Sequence, residues 1–134
     1  MKALVVDDDR VTRMILQATL SPYAGVCTCE DGSEAVRAFQ GALDRDEPFD
    51  LVCLDLVMPI MGGLEALTLI RQQEQMRGRF RPDASKVIIA TASDDKDTIE
   101  KAFHGLCDAY LVKPFDTAEF NSIVECLFPI ERLV

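Results

Sequence analysis

Long apolar runs are absent from this sequence of 134 residues, although 49% of its residues are hydrophobic. The longest uninterrupted stretches, such as Val87–Ala90, have the length of a strand, whereas a membrane-spanning helix needs about 20 apolar residues. A secretory signal peptide is also missing, because Met1 and Lys2 lead directly into a strand-like run and then acidic residues. We therefore expect one cytoplasmic domain spanning residues 1–134.

Positive charge is scarce: the sequence has 14 lysines and arginines against 23 aspartates and glutamates, so the net charge is −9. An acidic domain repels the phosphate backbone, so direct binding of nucleic acid is not expected. One stretch departs from this balance, and it contains Arg77, Arg79, Arg81 and Lys86. Two interpretations stay open: a solvated loop, which we favour, or a docking site for an acidic partner.

Disulfide and metal-binding cysteine patterns are lacking too. The five cysteines are an odd number and include no CxxC pair, and they are Cys27, Cys29, Cys53, Cys107 and Cys126. We expect buried, reduced thiols that behave as small apolar side chains. The single histidine, His104, lies in a helical pattern and is expected to be structural or solvated.

Five strand–helix units alternate strictly along the chain, without repeats or low-complexity segments. The predicted strands are Lys2–Val6, Gly25–Cys29, Leu51–Leu54, Val87–Ala90 and Ala109–Val112. Apolar residues at helical spacing mark the five helices: Val11, Met14, Ile15 and Ala18; Val36, Phe39 and Leu43; Leu64, Leu67 and Ile70; Ile99, Ala102, Phe103 and Leu106; Phe120, Ile123, Val124 and Leu127. This alternation predicts an α/β fold with a doubly wound parallel sheet between two helical layers.

Five chemically active side chains stand at the carboxyl ends of the predicted strands: Asp7, Asp8, Asp55, Thr91 and Lys113. In such sheets these ends form the ligand site, so we expect the five residues to converge. Three adjacent carboxylates repel one another and need a cation, and Mg²⁺ prefers oxygen ligands of this kind. A phosphoryl group on Asp55 would then be stabilised by the metal, an ammonium and a hydroxyl. Each residue alone has an ordinary alternative as a helix cap or loop residue; the joint pattern carries the hypothesis.

Four segments carry a family resemblance: Leu4–Asp9, Leu54–Gly63, Ala90–Ser93 and Tyr110–Phe115. They resemble two-component response-regulator receiver domains, over nearly the whole chain, and chemotaxis receivers in particular. The resemblance implies a flavodoxin-like, three-layer sandwich with five strands in the order 2-1-3-4-5.

The resemblance also implies a role for each site residue. Asp7 and Asp8 would hold Mg²⁺, together with the backbone carbonyl of Val57 and with Asp55, which is the phosphoacceptor. The remaining roles implied are those of Thr91 as switch hydroxyl, Lys113 as partner of the phosphoryl group and Tyr110 as aromatic rotamer switch. The Lys113–Pro114 bond is cis in similar proteins. One departure is Gly62, where many relatives have an aspartate that caps the following helix.

The function implied is that of a signalling switch rather than an enzyme. Asp55 would receive its phosphoryl group, with Mg²⁺, from a phosphohistidine on a sensor histidine kinase or a histidine phosphotransfer protein. Only Glu131–Val134 follow the fifth predicted helix, so we expect a stand-alone receiver without an output domain, monomeric or weakly dimeric. It would signal to an unknown downstream protein through the fourth helix, fifth strand and fifth helix.

Other protein classes share parts of this pattern. An FMN carrier would need small hydroxylic residues after the first strand, where three aspartates stand instead. A haloacid-type phosphatase would need a DxDxT pattern, which fails because Asp9 is followed by Arg10 and Val11. A pseudo-receiver that binds partners independently of phosphorylation remains the alternative, although such modules usually lack part of the acid–lysine set.

Overall fold

A computed structural model describes residues 1–92, 97, 99–100, 104 and 106–128. The described strands are β1 Lys2–Val6, β2 Gly25–Cys29, β3 Leu51–Leu54, β4 Lys86–Thr91 and β5 Ala109–Val112. The described helices are α1 Arg10–Leu20, α2 Gly32–Asp44, α3 Gly63–Met76 and a C-terminal helix, Thr117–Leu127.

All five strands are parallel and form one sheet in the order β2-β1-β3-β4-β5, which confirms the predicted 2-1-3-4-5 order. The order reverses beside β1, because β2 lies on one side of it and β3 on the other. In register, Val6 pairs with Leu54, and Leu54 pairs with Ile89. The central strands therefore end at nearly the same level, and the residues that follow them meet at one end of the sheet.

Each face of the sheet has its own hydrophobic core. On one face, Leu4, Val52 and Ile89 pack with Phe39 of α2 and Ile70 of α3. The core of the other face joins alternate strand residues to α1 and the C-terminal helix, and includes Val5, Cys53, Ile88, Leu16 and Phe120. Burial of the sheet on both sides explains why its strands are continuous apolar runs. The doubly wound α/β architecture is confirmed.

Helix α1 is present as predicted, but its buried face is a different one. Val11, Met14 and Ile15 are exposed by 61%, 58% and 46%, whereas Leu16 and Leu20 are almost fully buried. Both sets have helical spacing, so periodicity locates the helix without deciding which set faces the sheet. The two leucines, four residues apart, hold α1 against the core and leave an apolar surface outside.

The cysteine expectation is correct for three residues and wrong for two. All five cysteines are free; Cys29, Cys53 and Cys107 are buried, and burial raises the pKa of the Cys53 thiol to about 12. Cys27 is exposed because β2 is an edge strand with little cover, and Cys126 is exposed on the C-terminal helix. The buried thiols therefore lie at the end of the edge strand β2, on the inner strand β3 and two residues before β5.

The predicted fourth helix lies mostly outside the described residues, including its Ala102 and Phe103. Its flanking residues Ile99 and Leu106 pack against the core, and His104 is exposed, as expected for a solvated side chain. Across the part of the chain that the structure describes, no helix is both long and apolar enough to span a membrane.

The arginines of the basic stretch hold the connection between α3 and β4 in place. Arg77 pairs with Asp44 at the end of α2, and Arg81 pairs with Asp108 at 3.0 Å. Arg79 donates to the backbone carbonyl of Asp83 at 2.5 Å. These contacts anchor a connection whose residues 80–83 stay exposed, which fits the solvated loop that we favoured, and docking of an acidic partner stays an untested alternative.

Gly63, the first residue of α3, lies directly against the peptide that carries Asp55. A Cβ atom built on Gly63 would stand 2.0 Å from the Asp55 carbonyl oxygen. We expect Gly63→Ala to destabilise the protein by about 3 kcal/mol, because backbone rather than a flexible side chain must shift. Urea unfolding measures this, and Gly25→Ala is the control, since its Cβ would meet nothing within 4 Å. Equal stability of the two variants would show that this close approach is not a constraint.

Candidate functional site

Two aspartates are held at the carboxyl end of the sheet by hydrogen bonds that extend the strand ladder. The Asp7 N–H donates to the carbonyl of Cys29 at 3.1 Å, and the Asp55 N–H donates to the carbonyl of Val6 at 3.0 Å. Each residue directly follows its strand, so its backbone is fixed almost as firmly as the strand itself. The sheet thus fixes the backbone positions from which both carboxylate side chains extend.

Three carboxylates converge there, as the sequence predicted. One oxygen each of Asp7, Asp8 and Asp55 lies within 4.8 Å of the other two. Asp7 and Asp55 are buried, at 1% and 6% exposure, whereas Asp8 is exposed to solvent. A cluster of hard oxygen donors that is open on one side fits Mg²⁺, which keeps several of its waters.

Lys113 places an ammonium group beside two of the carboxylates. Its Nζ donates to Asp7 Oδ2 at 2.5 Å and to Asp55 Oδ2 at 3.3 Å. Its backbone N–H donates to the carbonyl of Thr91 at 2.8 Å, which continues the β4–β5 ladder. Burial lowers the pKa of Lys113, but the hydrogen bond to Asp7 and the charges of Asp55 and Asp7 outweigh burial and raise it. Lys113 is therefore a permanent cation of the site.

The oxygens of Asp7 are already engaged within the protein. Oδ1 accepts from the Asp9 N–H at 2.9 Å, and Oδ2 accepts from Lys113. Burial raises the pKa of Asp7 above its ordinary value, although the Lys113 and Asp9 hydrogen bonds oppose that shift. The exposed Asp8 is accordingly the most accessible of the three carboxylates for a cation arriving from solvent.

Asp9, the third aspartate of the run, caps a helix instead of joining the cluster. Its side chain accepts from the Val11 N–H at 3.2 Å and from the Thr12 hydroxyl at 2.6 Å. The hydrogen bond from Thr12 is the main reason that its pKa is lowered. It occupies the N-cap of α1, a position that aspartate favours.

The remaining predicted site residues lie on the neighbouring strands and the β3–α3 loop. Thr91, at the end of β4, is 1% exposed, and Tyr110 on β5 is 41% exposed. Val57 turns its side chain outward at 67% exposure, while its N–H donates to Asp55 Oδ1 at 3.3 Å. The Lys113–Pro114 peptide is cis, as the resemblance implied. The roles of these residues in a switch stay predictions.

The β3–α3 loop shows the expected consequence of Gly62. Gly62 is the N-cap of α3 and provides no side-chain hydrogen bond there, unlike Asp31 and Asp116 at the starts of two other helices. The adjoining Ile60 has a φ of 69°, in the region that β-branched residues rarely adopt. The start of α3, beside the site, is thus less well capped than the starts of α2 and the C-terminal helix.

Sequence reasoning missed one residue beside the cluster, Arg13 of α1, which donates to the backbone carbonyl of Asp7 at 2.7 Å. Its position on the first turns of α1 was visible in the sequence. The contact was not, because a side chain this long has many possible partners.

One family of known proteins matches almost the whole length of this chain. The family model described as the response regulator receiver domain matches residues 3–125. The chain belongs to this family. The receiver domain of two-component signalling is a signalling module, and phosphorylation and Mg²⁺ binding are general features of its members.

The curated relatives are longer proteins, and this chain matches only a small part of their length. It is 36% identical over 122 residues to the DNA-binding transcriptional regulator NtrC of Escherichia coli, covering 90% of this chain and 23% of that protein. It is 28% identical over 130 residues to the hybrid signal transduction histidine kinase G of Dictyostelium discoideum, covering 97% of this chain and 4% of the relative.

Solved receiver structures share the fold closely. The response regulator TrrA of Thermotoga maritima, in complex with Mg²⁺ and BeF, is 31% identical with a TM-score of 0.74, covering 96% of this chain and all of that one. The CheY chain of a CheX–CheY–BeF3–Mg²⁺ complex from Borrelia burgdorferi is 25% identical with a TM-score of 0.79, covering 96% and 89%.

We expect Mg²⁺ to raise the thermal stability of the protein, because a cation that binds only the folded state relieves the carboxylate repulsion there. A hundredfold excess of Mg²⁺ over its Kd adds about 2.7 kcal/mol, and thermal unfolding with and without MgCl₂ measures it. Asp8→Asn should lose most of this gain, and Asp83→Asn, in the α3–β4 connection, should keep it. A gain of the same size in Asp8→Asn would exclude Asp8 as a ligand.

Proposed function

We propose that this receiver domain is a phosphorylation-dependent switch in which Asp55 accepts a phosphoryl group from a phosphohistidine in a Mg²⁺-dependent reaction. The observation that carries the proposal is the setting of the Asp55 carboxylate. Its Oδ2 lies 3.3 Å from the Lys113 Nζ atom. One of its oxygens also lies within 4.8 Å of an oxygen of Asp7 and an oxygen of Asp8. This arrangement supplies both a nucleophile and the charges that phosphoryl transfer needs.

In the proposed reaction, a carboxylate oxygen of Asp55 forms a bond to phosphorus as the bond between phosphorus and the donor imidazole nitrogen breaks. The imidazole leaves with the electron pair of that bond. Lys113 stabilises the negative charge of the phosphoryl oxygens, and the Thr91 hydroxyl donates to one of them. Positioning and charge stabilisation are the main contributions of a protein to such a transfer.

The metal ligands in this proposal are Asp7, Asp8, Asp55 and the backbone carbonyl of Val57. The donor set fits a hard cation, since all of these atoms are oxygens. When bound, Mg²⁺ offsets the carboxylate repulsion and neutralises charge on the phosphoryl oxygens. Asp7 contributes in a second way, because its hydrogen bond holds Lys113 beside Asp55.

The proposed phosphoryl donor is a sensor histidine kinase or a histidine phosphotransfer protein, and the output is an unidentified protein. Support comes from a histidine kinase relative that contains a matching segment, and from the structurally similar CheY chain seen in complex with CheX. The acidic charge of the chain argues against nucleic acid as its own direct ligand.

The proposed output surface comprises the predicted fourth helix, β5 and the C-terminal helix. Phosphorylation adds about −1.5 to −2 charges and three acceptor oxygens at Asp55. The Thr91 hydroxyl is then drawn to the phosphoryl group, and Tyr110, which is 41% exposed, turns into the space that it vacates. Because Thr91 and Tyr110 lie on adjacent strands, the change passes from β4 to β5.

We expect Asp55→Asn to abolish phosphorylation, because an amide lacks the nucleophilic carboxylate oxygen. The measurement is incorporation of labelled phosphate from a phosphorylated histidine phosphotransfer protein, with MgCl₂ or with excess chelator. Asp83→Asn is the matched control and should incorporate label as the wild type does. Normal labelling of Asp55→Asn, or labelling in chelator, would contradict the assignment. A wild type that takes no label from any phosphohistidine or small-molecule donor would favour the pseudo-receiver alternative.

We expect Thr91→Val, which keeps the shape and removes the hydroxyl, to accept phosphate but to lose coupling to the output surface. Hydrogen–deuterium exchange with Mg²⁺ and beryllofluoride, a phosphoryl mimic, should change at Ala109–Val112 and Thr117–Leu127 in the wild type. In the variant these changes should shrink, while α2 serves as the internal control in both proteins. Identical responses would remove Thr91 from the switch.

A further inference from the structure

We propose that Arg13 is a positioning residue of the metal site: it orients the peptide between Asp7 and Asp8, and so sets the Mg²⁺ affinity of the Asp8 carboxylate. This inference rests on the metal site proposed above. Arg13 itself does not belong to the cluster, since it acts on the backbone that carries the cluster.

The contact of Arg13 with this peptide is short and protected. Its Nη1 donates to the Asp7 carbonyl oxygen at 2.7 Å, and its side chain is only 13% exposed. Its Nη2 lies 3.4 Å from Glu30 Oε1, and Glu30 is 71% exposed. The hydrogen bond to the carbonyl is therefore shielded from solvent, whereas the ion pair with Glu30 lies at the surface. A hydrogen bond from a charged donor is about twice as strong as a neutral one.

The carbonyl that Arg13 holds is the first one beyond β1. A peptide unit is planar, so fixing the direction of the Asp7 carbonyl also fixes the N and Cα atoms of Asp8. On the other side, the Asp7 carboxylate accepts from the Asp9 N–H at 2.9 Å. The turn is thus held before and after Asp8, whose own side chain is exposed and depends on these backbone anchors for its direction.

This role can be separated from a general effect of positive charge, because Arg10 provides a comparison. Arg10 is the first residue of α1 and is exposed, so it places a similar charge near the same turn. Loss of Arg10 lowers the local positive charge, whereas loss of Arg13 also releases the Asp7 carbonyl. Glu30→Gln removes the outer ion pair and leaves the carbonyl bond.

The experiment measures the Kd of Mg²⁺ by isothermal titration calorimetry on the full chain, in constant ionic strength. We expect Arg13→Met to weaken Mg²⁺ binding by about tenfold, the lower end of the loss seen when groups behind metal ligands are removed. Arg13→Lys keeps the charge without the guanidinium fork, so it should recover only part of the loss. Arg10→Gln and Glu30→Gln should stay within about twofold of the wild type, a shift well under a tenfold effect of 1.4 kcal/mol.

A second readout separates positioning from damage to the phosphoacceptor. Labelling from a small-molecule phosphodonor at saturating Mg²⁺ should be close to wild type in Arg13→Met, with only the Mg²⁺ concentration for half-maximal rate increased. An unchanged Kd in a folded Arg13→Met protein, or equal weakening by Arg10→Gln, would overturn the inference. Should Arg13→Met not fold, a Kd for Arg13→Lys equal to that of the wild type would overturn it instead. A wild type that binds no Mg²⁺ would sink the metal site itself, which is a distinguishable result.

Discussion

Repulsion among three carboxylates at one end of a sheet is the constraint on which this site depends. Asp7 and Asp55 are buried, so water screens their charges poorly, and Lys113 is the cation that contacts both. One ammonium offsets three carboxylates only in part, and burial raises the pKa of Asp7 in spite of the hydrogen bond from Lys113. The folded protein therefore holds a local excess of negative charge that a divalent cation would relieve. Affinity for a cation, which the proposed metal site requires, would follow directly from this imbalance.

The sheet maintains the imbalance by fixing backbones rather than side chains. Asp7, Asp55 and Lys113 each follow a strand directly, and each donates its N–H to the last residue of the neighbouring strand. The Cα atoms of these three residues cannot separate without breaking the ladder bonds. The contact of Gly63 with the Asp55 peptide closes the same region from the helical side. The backbone around the site is rigid, whereas the Asp8 side chain is exposed to solvent. The site therefore combines fixed positions of its residues with access for a cation from solvent.

Much of this could be predicted from the sequence, because strand ends are marked by where an apolar run stops. That is why Asp7, Asp55 and Lys113 were placed correctly, and why alternation was enough for the fold class. The buried face of α1 was not predictable from spacing, since Leu16 with Leu20 fits a helix as well as Met14 does with Val11 and Ile15. Contacts of long side chains, such as Arg13 with Asp7, depend on three-dimensional neighbours that spacing does not encode.

A second group of charged residues lies at the amino end of the sheet, and its positive and negative charges are paired with one another. There Arg71 pairs with Glu74 at 2.6 Å and with Asp108 at 3.3 Å, and it also donates to the Leu106 carbonyl at 2.8 Å. Glu74 accepts in turn from the Ser85 N–H at 2.6 Å. Every charge in that network has an opposite charge or a backbone group beside it, so it stabilises one arrangement and offers little to a ligand. The carboxyl end of the sheet differs because its charges are left unequal. Incompletely paired clusters with perturbed groups are concentrated at functional sites, whereas full pairing is typical of a structural network.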